Sequence, residues 1–431
     1  MWETNRTKVI IGNLLIILAI IAIVGGLVFA MLRIREINKQ QDEQLTELYV
    51  QQKQVQNEQR QEPTASIQAE YEKDLATVAE YMPGIVCWGD GITAAASGAL
   101  NYPYVLQTYI NNCICDIYDF SSTIENAAEL PRFNWSDYKV SIPVVNMGAG
   151  KESSYTICGR AGAIPYVVGE NIVIPADSEP VSIVLKSIGK DYTYVTPLTG
   201  GDAGVNPVVI DGIEGRLSIN SEDYNHNGTL RYFFTRSEPG KETPVAAGTV
   251  IKTAGTDMYK DYIHVVLIGV YGEYQGADDL VQQTKTLLER QTKNSDRFIV
   301  LGPYINAQYG ASTYELDAID SAMLQAFGNR YISIRKYLVG DGYADAGIDP
   351  TGEDKYYISQ NIVPPSFKVS SHGEELNSRA HKLIGKLIYN RMQSLGYFDE
   401  INDELNINET TKAILKDDPT YFERIVNNIL N

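Results

Sequence analysis

The sequence predicts an α/β fold: a parallel sheet between helical layers, interrupted by a small inserted all-β module and preceded by a transmembrane helix and a helical stalk. Three observations carry this. Near-continuous apolar runs, Ile85-Val-Cys-Trp88, Tyr262-Ile-His-Val-Val-Leu-Ile-Gly269 and Arg297-Phe-Ile-Val-Leu-Gly302, alternate with helix-forming stretches, as parallel strands covered on both faces require. Residues 160 to 258 change texture, to short β-prone runs separated by Gly, Pro, Asn and Asp turns. Residues 9 to 32 form an uncharged, mostly apolar run, long enough to span a hydrocarbon core, which takes ~20 helical residues.

The predicted organisation follows from these changes: a short tail (1–8), the transmembrane anchor (9–32), a Gln/Glu-rich stalk (33–62), a first α/β segment (63–159), the β-rich insertion (160–258), a second α/β segment (259–397) and a helical tail (398–431). Composition narrows the function. A formal net charge of −18 disfavours nucleic acid, whose phosphates it repels. The chain holds 29 Tyr against 10 Phe, a balance that suits large wet surfaces, including sugar-facing ones, or is simple compositional habit. Cys87, Cys113, Cys115 and Cys158 lack zinc spacing. A bridge from Cys158 to either Cys113 or Cys115 is left open.

In chain order, the 9–32 run has no signal-peptide cleavage pattern and is followed at once by Arg33 and Arg35, so it reads as an uncleaved single-pass anchor. Basic residues flank both ends and give little orientation; a large acidic domain after the span is compatible with export. Between Arg33 and Glu62 there is no Gly or Pro, and Leu45, Leu48 and Val55 keep a heptad-like spacing interrupted by Gln41 and Gln52. A helical stalk is expected, with self-association through it as an option. Pro63 breaks that helix, and Ile67 to Met82 forms an amphipathic one. Strand Ile85–Trp88 runs into Gly89-Asp-Gly91, and helix-forming Tyr102–Ile110 follows. Val140–Asn146 is a second buried strand. The insertion contributes runs such as Tyr166–Ile174, Val181–Leu185, Pro207–Ile213 and Leu230–Phe234. Beyond it come a helix at 278–290, one at about 314–327, a last short strand at Tyr331–Ile334, a long helix from Leu376 to Tyr397, and a tail broken near Pro419.

The stretch Gly84-Ile-Val-Cys-Trp-Gly-Asp-Gly-Ile-Thr93 resembles the first block of the SGNH (GDSL-type) hydrolases, which read Gly-Asp-Ser-x-Thr after a first strand. The likeness extends in outline over residues 84 to 397 and implies an SGNH-like three-layer α/β/α domain. It implies Gly148, in Asn146-Met-Gly-Ala-Gly150, as a backbone oxyanion donor. Gly89, Asp90, Gly148, Gly269 and Asn377 are the cleft positions retained. The catalytic letters differ. Gly91 stands where the family has its nucleophilic serine, Tyr271 where it has an oxyanion asparagine, and His372 and Glu375 where it has its aspartate and histidine.

Acyl transfer through serine needs a hydroxyl, a base and oxyanion donors. Departures at three separate segments therefore imply a catalytically silent, degenerate site in a membrane-anchored extracellular protein that binds a cell-envelope glycan or a protein partner. No catalytic residue, cofactor or metal is expected. The alternatives are an active esterase or deacetylase on acylated carbohydrate with a displaced set such as Thr93, Ser97 or His372, carboxylate chemistry through Asp90, Glu375 and Glu273, and a structural subunit of a cell-surface assembly.

Overall fold

The computed structural model describes residues 65–95, 100–115, 140–187, 198, 203–219, 231–305, 313–371, 373–405 and 407–430. Nearly all belong to one compact unit, Ala69–Ile124 with Tyr138–Asn431; the other unit, Met1–Gln68 with Glu125–Asp137, falls almost wholly outside the described residues.

Helix Ala65–Tyr81 leads to β1 (Ile85–Gly89). Helix Tyr102–Ile110 starts where the Asn101 side chain accepts from Tyr104 N–H, with Pro103 in its first turn, where a missing N–H does no harm. Strand β2 (Val144–Gly148) follows, then helix Ser154–Arg160, capped by Ser153. The insertion supplies β3 (Tyr166–Val168), β4 (Ile172–Ile174), β5 (Val181–Ser187), β6 (Val208–Ile210), β7 (Ile213–Ile219), β8 (Arg231–Arg236), β9 (Thr243–Val245) and β10 (Val250–Lys252). The α/β pattern then resumes with β11 (Ile263–Leu267), helix Gly276–Leu288, β12 (Phe298–Gly302), helix Thr313–Phe327, β13 (Tyr331–Ser333) and helix Ser378–Ser394.

Five strands form a parallel sheet in the order β13-β12-β11-β1-β2. Every residue of β1 and β11 is buried, because helices cover both faces. Ile85, Cys87, Ile263, Val265 and Leu267 face one core with helices Tyr102–Ile110 and Ser378–Ser394. Val86, Trp88, Val266 and Val300 face the other with helices Gly276–Leu288 and Thr313–Phe327. Gly89 lies in register with Gly148, so the carboxyl ends of β1 and β2 finish side by side. That edge is where ligands sit in open α/β sheets.

The insertion closes into a six-stranded antiparallel barrel, β10-β3-β5-β8-β7-β6, with β4 and β9 as a separate two-stranded ribbon. Strand β7 alternates, with Gly215 and Leu217 inward and Glu214, Arg216 and Ser218 outward. Tyr166, Val168, Ile183, Leu185, Ile210, Tyr232, Phe234 and Ile251 fill the interior. Closure leaves no unpaired strand edge on these six.

This corrects the fold class predicted from sequence. That class placed a transmembrane helix and stalk ahead of the domain and described the insertion only as a small all-β module. Among the described residues no helix is long and apolar enough to cross a membrane. The two longest, Ala65–Tyr81 and Ser378–Ser394, are interrupted by charges such as Glu70, Lys73, Lys382 and Lys386, as a helix with one wet face must be. The predicted anchor (9–32) and stalk (33–62) lie outside the described residues. The bridge from Cys158 is not formed: Cys158 and Cys113 carry no disulfide.

Candidate functional site

The site grows from the end of β1. Gly89 must be glycine, since a Cβ there would lie 2.0 Å from Thr93 Oγ1. Asp90 follows and caps the short helix Gly91–Ala94: its Oδ1 accepts from Ile92 N–H at 2.9 Å. The residue has no exposed surface, and its Oδ2 has no hydrogen-bond partner. Burial pushes this carboxyl up to about 8, with the neighbouring Glu152 charge adding to the rise.

Gly91 is different from its neighbours. A Cβ placed there would meet its nearest atoms, Gly150 Cα and Lys151 N, at 3.5 Å and the Tyr271 hydroxyl at 3.6 Å, all ordinary contacts. Nothing in the packing demands glycine at this position. Gly148, by contrast, packs directly on the short helix, and a Cβ there would come within 2.2 Å of Ala94 N. Its own N–H donates to Asn146 Oδ1 at 2.9 Å, while Asn146 Nδ2 donates to the Thr93 carbonyl, also at 2.9 Å. The donor that the SGNH likeness assigns to an oxyanion is therefore engaged in bracing the turn. Gly148→Ala is expected to cost about 1–3 kcal/mol, because backbone rather than a flexible side chain must move; urea denaturation measures it.

The turn after β11 brings Tyr271 over Gly91. Gly269 holds φ at +100° and its carbonyl accepts from Gly272 N–H at 3.3 Å. Burial raises the Tyr271 hydroxyl well above its usual range, and the charges of Asp90, Glu374 and Glu375 raise it further. Tyr304, fully buried beyond β12, feels the same three carboxylates, and its hydroxyl donates to the Glu374 carbonyl. The segment carrying Glu374 and Glu375 is pinned by an isolated antiparallel bridge, Lys368 to Leu376, and by Val369 N–H donating to the Glu375 carbonyl at 3.0 Å. Glu375 is exposed. His372 lies outside the described residues.

Other sequence candidates land elsewhere. Asn377 caps helix Ser378–Ser394 through Ala380 N–H and ties down the Ser366 and Lys368 carbonyls. Glu273 accepts from the Ser153 hydroxyl at the start of helix Ser154–Arg160. Thr93 is buried, with its hydroxyl 2.9 Å from Tyr102 Oη. Ser97 lies outside the described residues. His264 and His381 are core residues, and burial lowers both to about 4. Among the described residues no group of three or more His, Cys, Asp or Glu is placed to hold a metal ion.

One feature of the site has no counterpart in the sequence reading. Arg160, fully buried at the end of its helix, pairs with fully buried Glu152 at 2.7 Å. Its Nη2 donates to the Gly89 carbonyl at 2.9 Å and the Met147 carbonyl at 2.6 Å, and its Nη1 to the Ala203 carbonyl at 3.0 Å. The guanidinium also lies 5.3 Å from the Trp88 ring centre. One side chain thus ties the ends of β1 and β2 to each other and to the barrel. Burial lifts Glu152 to about 7, against the pull of Arg160. In sequence, a basic residue in a last helical turn reads as a solvated complement to the helix dipole, and its burial is decided only by what surrounds it.

The chain was compared with protein-family models, with curated proteins and with solved structures, and none of the three gave a match.

Proposed function

We propose that the chain is a non-catalytic binding protein whose cleft is a degenerate relative of the SGNH hydrolase site, taking a cell-envelope glycan or a protein partner. One observation carries the reading: a Cβ at position 91 would meet only ordinary contacts, so packing does not demand glycine there, yet the position carries no side chain. The supporting geometry is the engagement of Gly148 N–H by Asn146 and the burial of Thr93, His264 and His381 in the core. Among the described residues neither a nucleophile nor a base stands at the turn, so there acyl transfer lacks two of its three requirements.

The test is Gly91→Ser beside the unchanged chain. The variant is expected to fold with stability within about 1 kcal/mol, because the new Cβ meets only van der Waals neighbours. Neither protein is expected to release acetate from acetyl esters or to react with a fluorophosphonate. Turnover by the unchanged chain sinks the reading. Turnover by the serine variant alone shows that a base remains in place.

A further inference from the structure

Helices Gly276–Leu288 and Thr313–Phe327 send Leu280, Leu287, Ile319 and Met323 into the core beneath them. Each joins neighbouring parallel strands, so the two run side by side in the same direction. Between their outer faces lies an open groove of about 390 Å³, lined by Asp278, Val281, Lys285, Ala322, Gln325 and Ala326. Val281 and the two alanines are half-buried; the three polar residues are exposed. Asp278 and Lys285 stand on one face of their helix, two turns or ~10.5 Å apart along its axis. Neither side chain has a hydrogen-bond or ion-pair partner among the described residues. The helix dipole favours an acid in the first turn and a base in the last. It gives no reason for both to line the same groove.

We infer that this groove face docks a second copy of the chain, about a twofold axis crossing helix Gly276–Leu288 between Val281 and Gln282. That operation sets the helix antiparallel to its copy. Asp278 then faces the second copy's Lys285, and Lys285 faces the second copy's Asp278, so one stripe forms two ion pairs. The groove spans residues 278–285 on one helix and 322–326 on the other, so the same axis crosses the second helix near Leu324. Leu324 is 57% exposed, a leucine with no apolar cover on its outer side. Ala322 and Ala326, half a turn before and after it, are small enough to let the two helices approach. An unrelated partner needs matching charges of its own, whereas this sequence already carries both halves of the match. A net charge of −18 repels copies at long range, so only a face with local matching can join them. None of these residues belongs to the cleft, so the two readings stand or fall separately.

The experiment is sedimentation velocity of the full chain over a range of concentrations. The native chain is expected to show a monomer–dimer equilibrium with a Kd of about 1–100 μM. Asp278→Lys and Lys285→Glu each set like charges face to face, and each is expected to weaken the dimer at least tenfold. Both positions are exposed, so folding tolerates the changes. Mixed in equal amounts, the two variants are expected to pair about as tightly as the native chain, because one face is then wholly basic and the other wholly acidic. Leu324→Ser, which acts twice in a twofold contact, is also expected to weaken the dimer at least tenfold. A native chain that stays monomeric at about 100 μM overturns the assignment. So does association that neither charge reversal weakens, the result expected if copies join through residues 33–62 instead. Two variants that stay monomeric when mixed overturn the antiparallel pairing.

Discussion

Arg160→Ala is expected to destabilise the fold by about 3–5 kcal/mol, the range found when one partner of a buried ion pair is removed. The alanine strips three carbonyl oxygens of a donor and leaves Glu152, which has no exposed surface, without its cation. Trp88 also loses the guanidinium over its ring. Chemical denaturation of the full chain checks the magnitude. The informative partner is the double variant Arg160→Met with Glu152→Leu. Removing both charges spares the cost of an orphaned carboxylate, so the double change is expected to be milder than the sum of the two single ones. If Arg160→Ala alters stability by less than about 1 kcal/mol, the side chain does not tie the strand ends together.

The second large effect is a dependence on pH that belongs to Asp90. Its folded-state value, about 8, lies above the roughly 3.9 of an unfolded aspartate. Below about pH 4 the carboxyl is protonated in both states and contributes nothing to the difference. Between about pH 4 and pH 8 the unfolded chain releases a proton that the folded chain retains. Stability therefore falls with rising pH across that window, by up to about 1.4 kcal/mol per unit, and the loss levels off above it. Glu152 shifts in the same direction, toward about 7, but it is common to both proteins when the native chain is compared with Asp90→Asn. The asparagine variant keeps the cap and lacks the titration, so its advantage is expected to grow steadily from pH 5 to pH 8. Urea midpoints at three pH values decide the matter; parallel curves mean that Asp90 is solvated or already ionised in the fold.

How much of this was legible beforehand varies from element to element. Strands β1, β11 and β12 announce themselves because a strand covered on both faces must be apolar at every position. The alternation of β7 is equally plain. Barrel closure is not, because it depends on β10 pairing with both β3 and β6, partners far apart in the chain that no local period encodes. At the site, Asp90 and Gly91 stand out as a tight turn after a strand, and the topology does bring Tyr271 over them. Tyr304, Glu374 and the Glu152–Arg160 pair were missed for one shared reason. Their roles come from segments that meet only when the sheet is assembled, and residue type carries no mark of burial for a charge or a tyrosine.

The barrel leaves the chain just after Arg160 and returns beside it. The Arg160 carbonyl accepts from the Thr253 hydroxyl at 2.7 Å on the return, and its guanidinium holds Ala203 within the insertion. A long excursion whose two ends already sit together is, to the rest of the chain, a short loop. Strands β2 and β11 flank β1 from opposite sides of the insertion, so a barrel that folds early reduces the entropy of joining them, by about 1 kcal/mol for each few-fold shortening of the effective loop. Barrel packing then governs how quickly a sheet it does not belong to can form, and trimming its interior with Phe234→Leu is expected to slow refolding of the sheet as followed by Trp88 fluorescence. By the same geometry, the whole excursion is a removable cassette, with entry and exit lying close enough for a short linker to bridge.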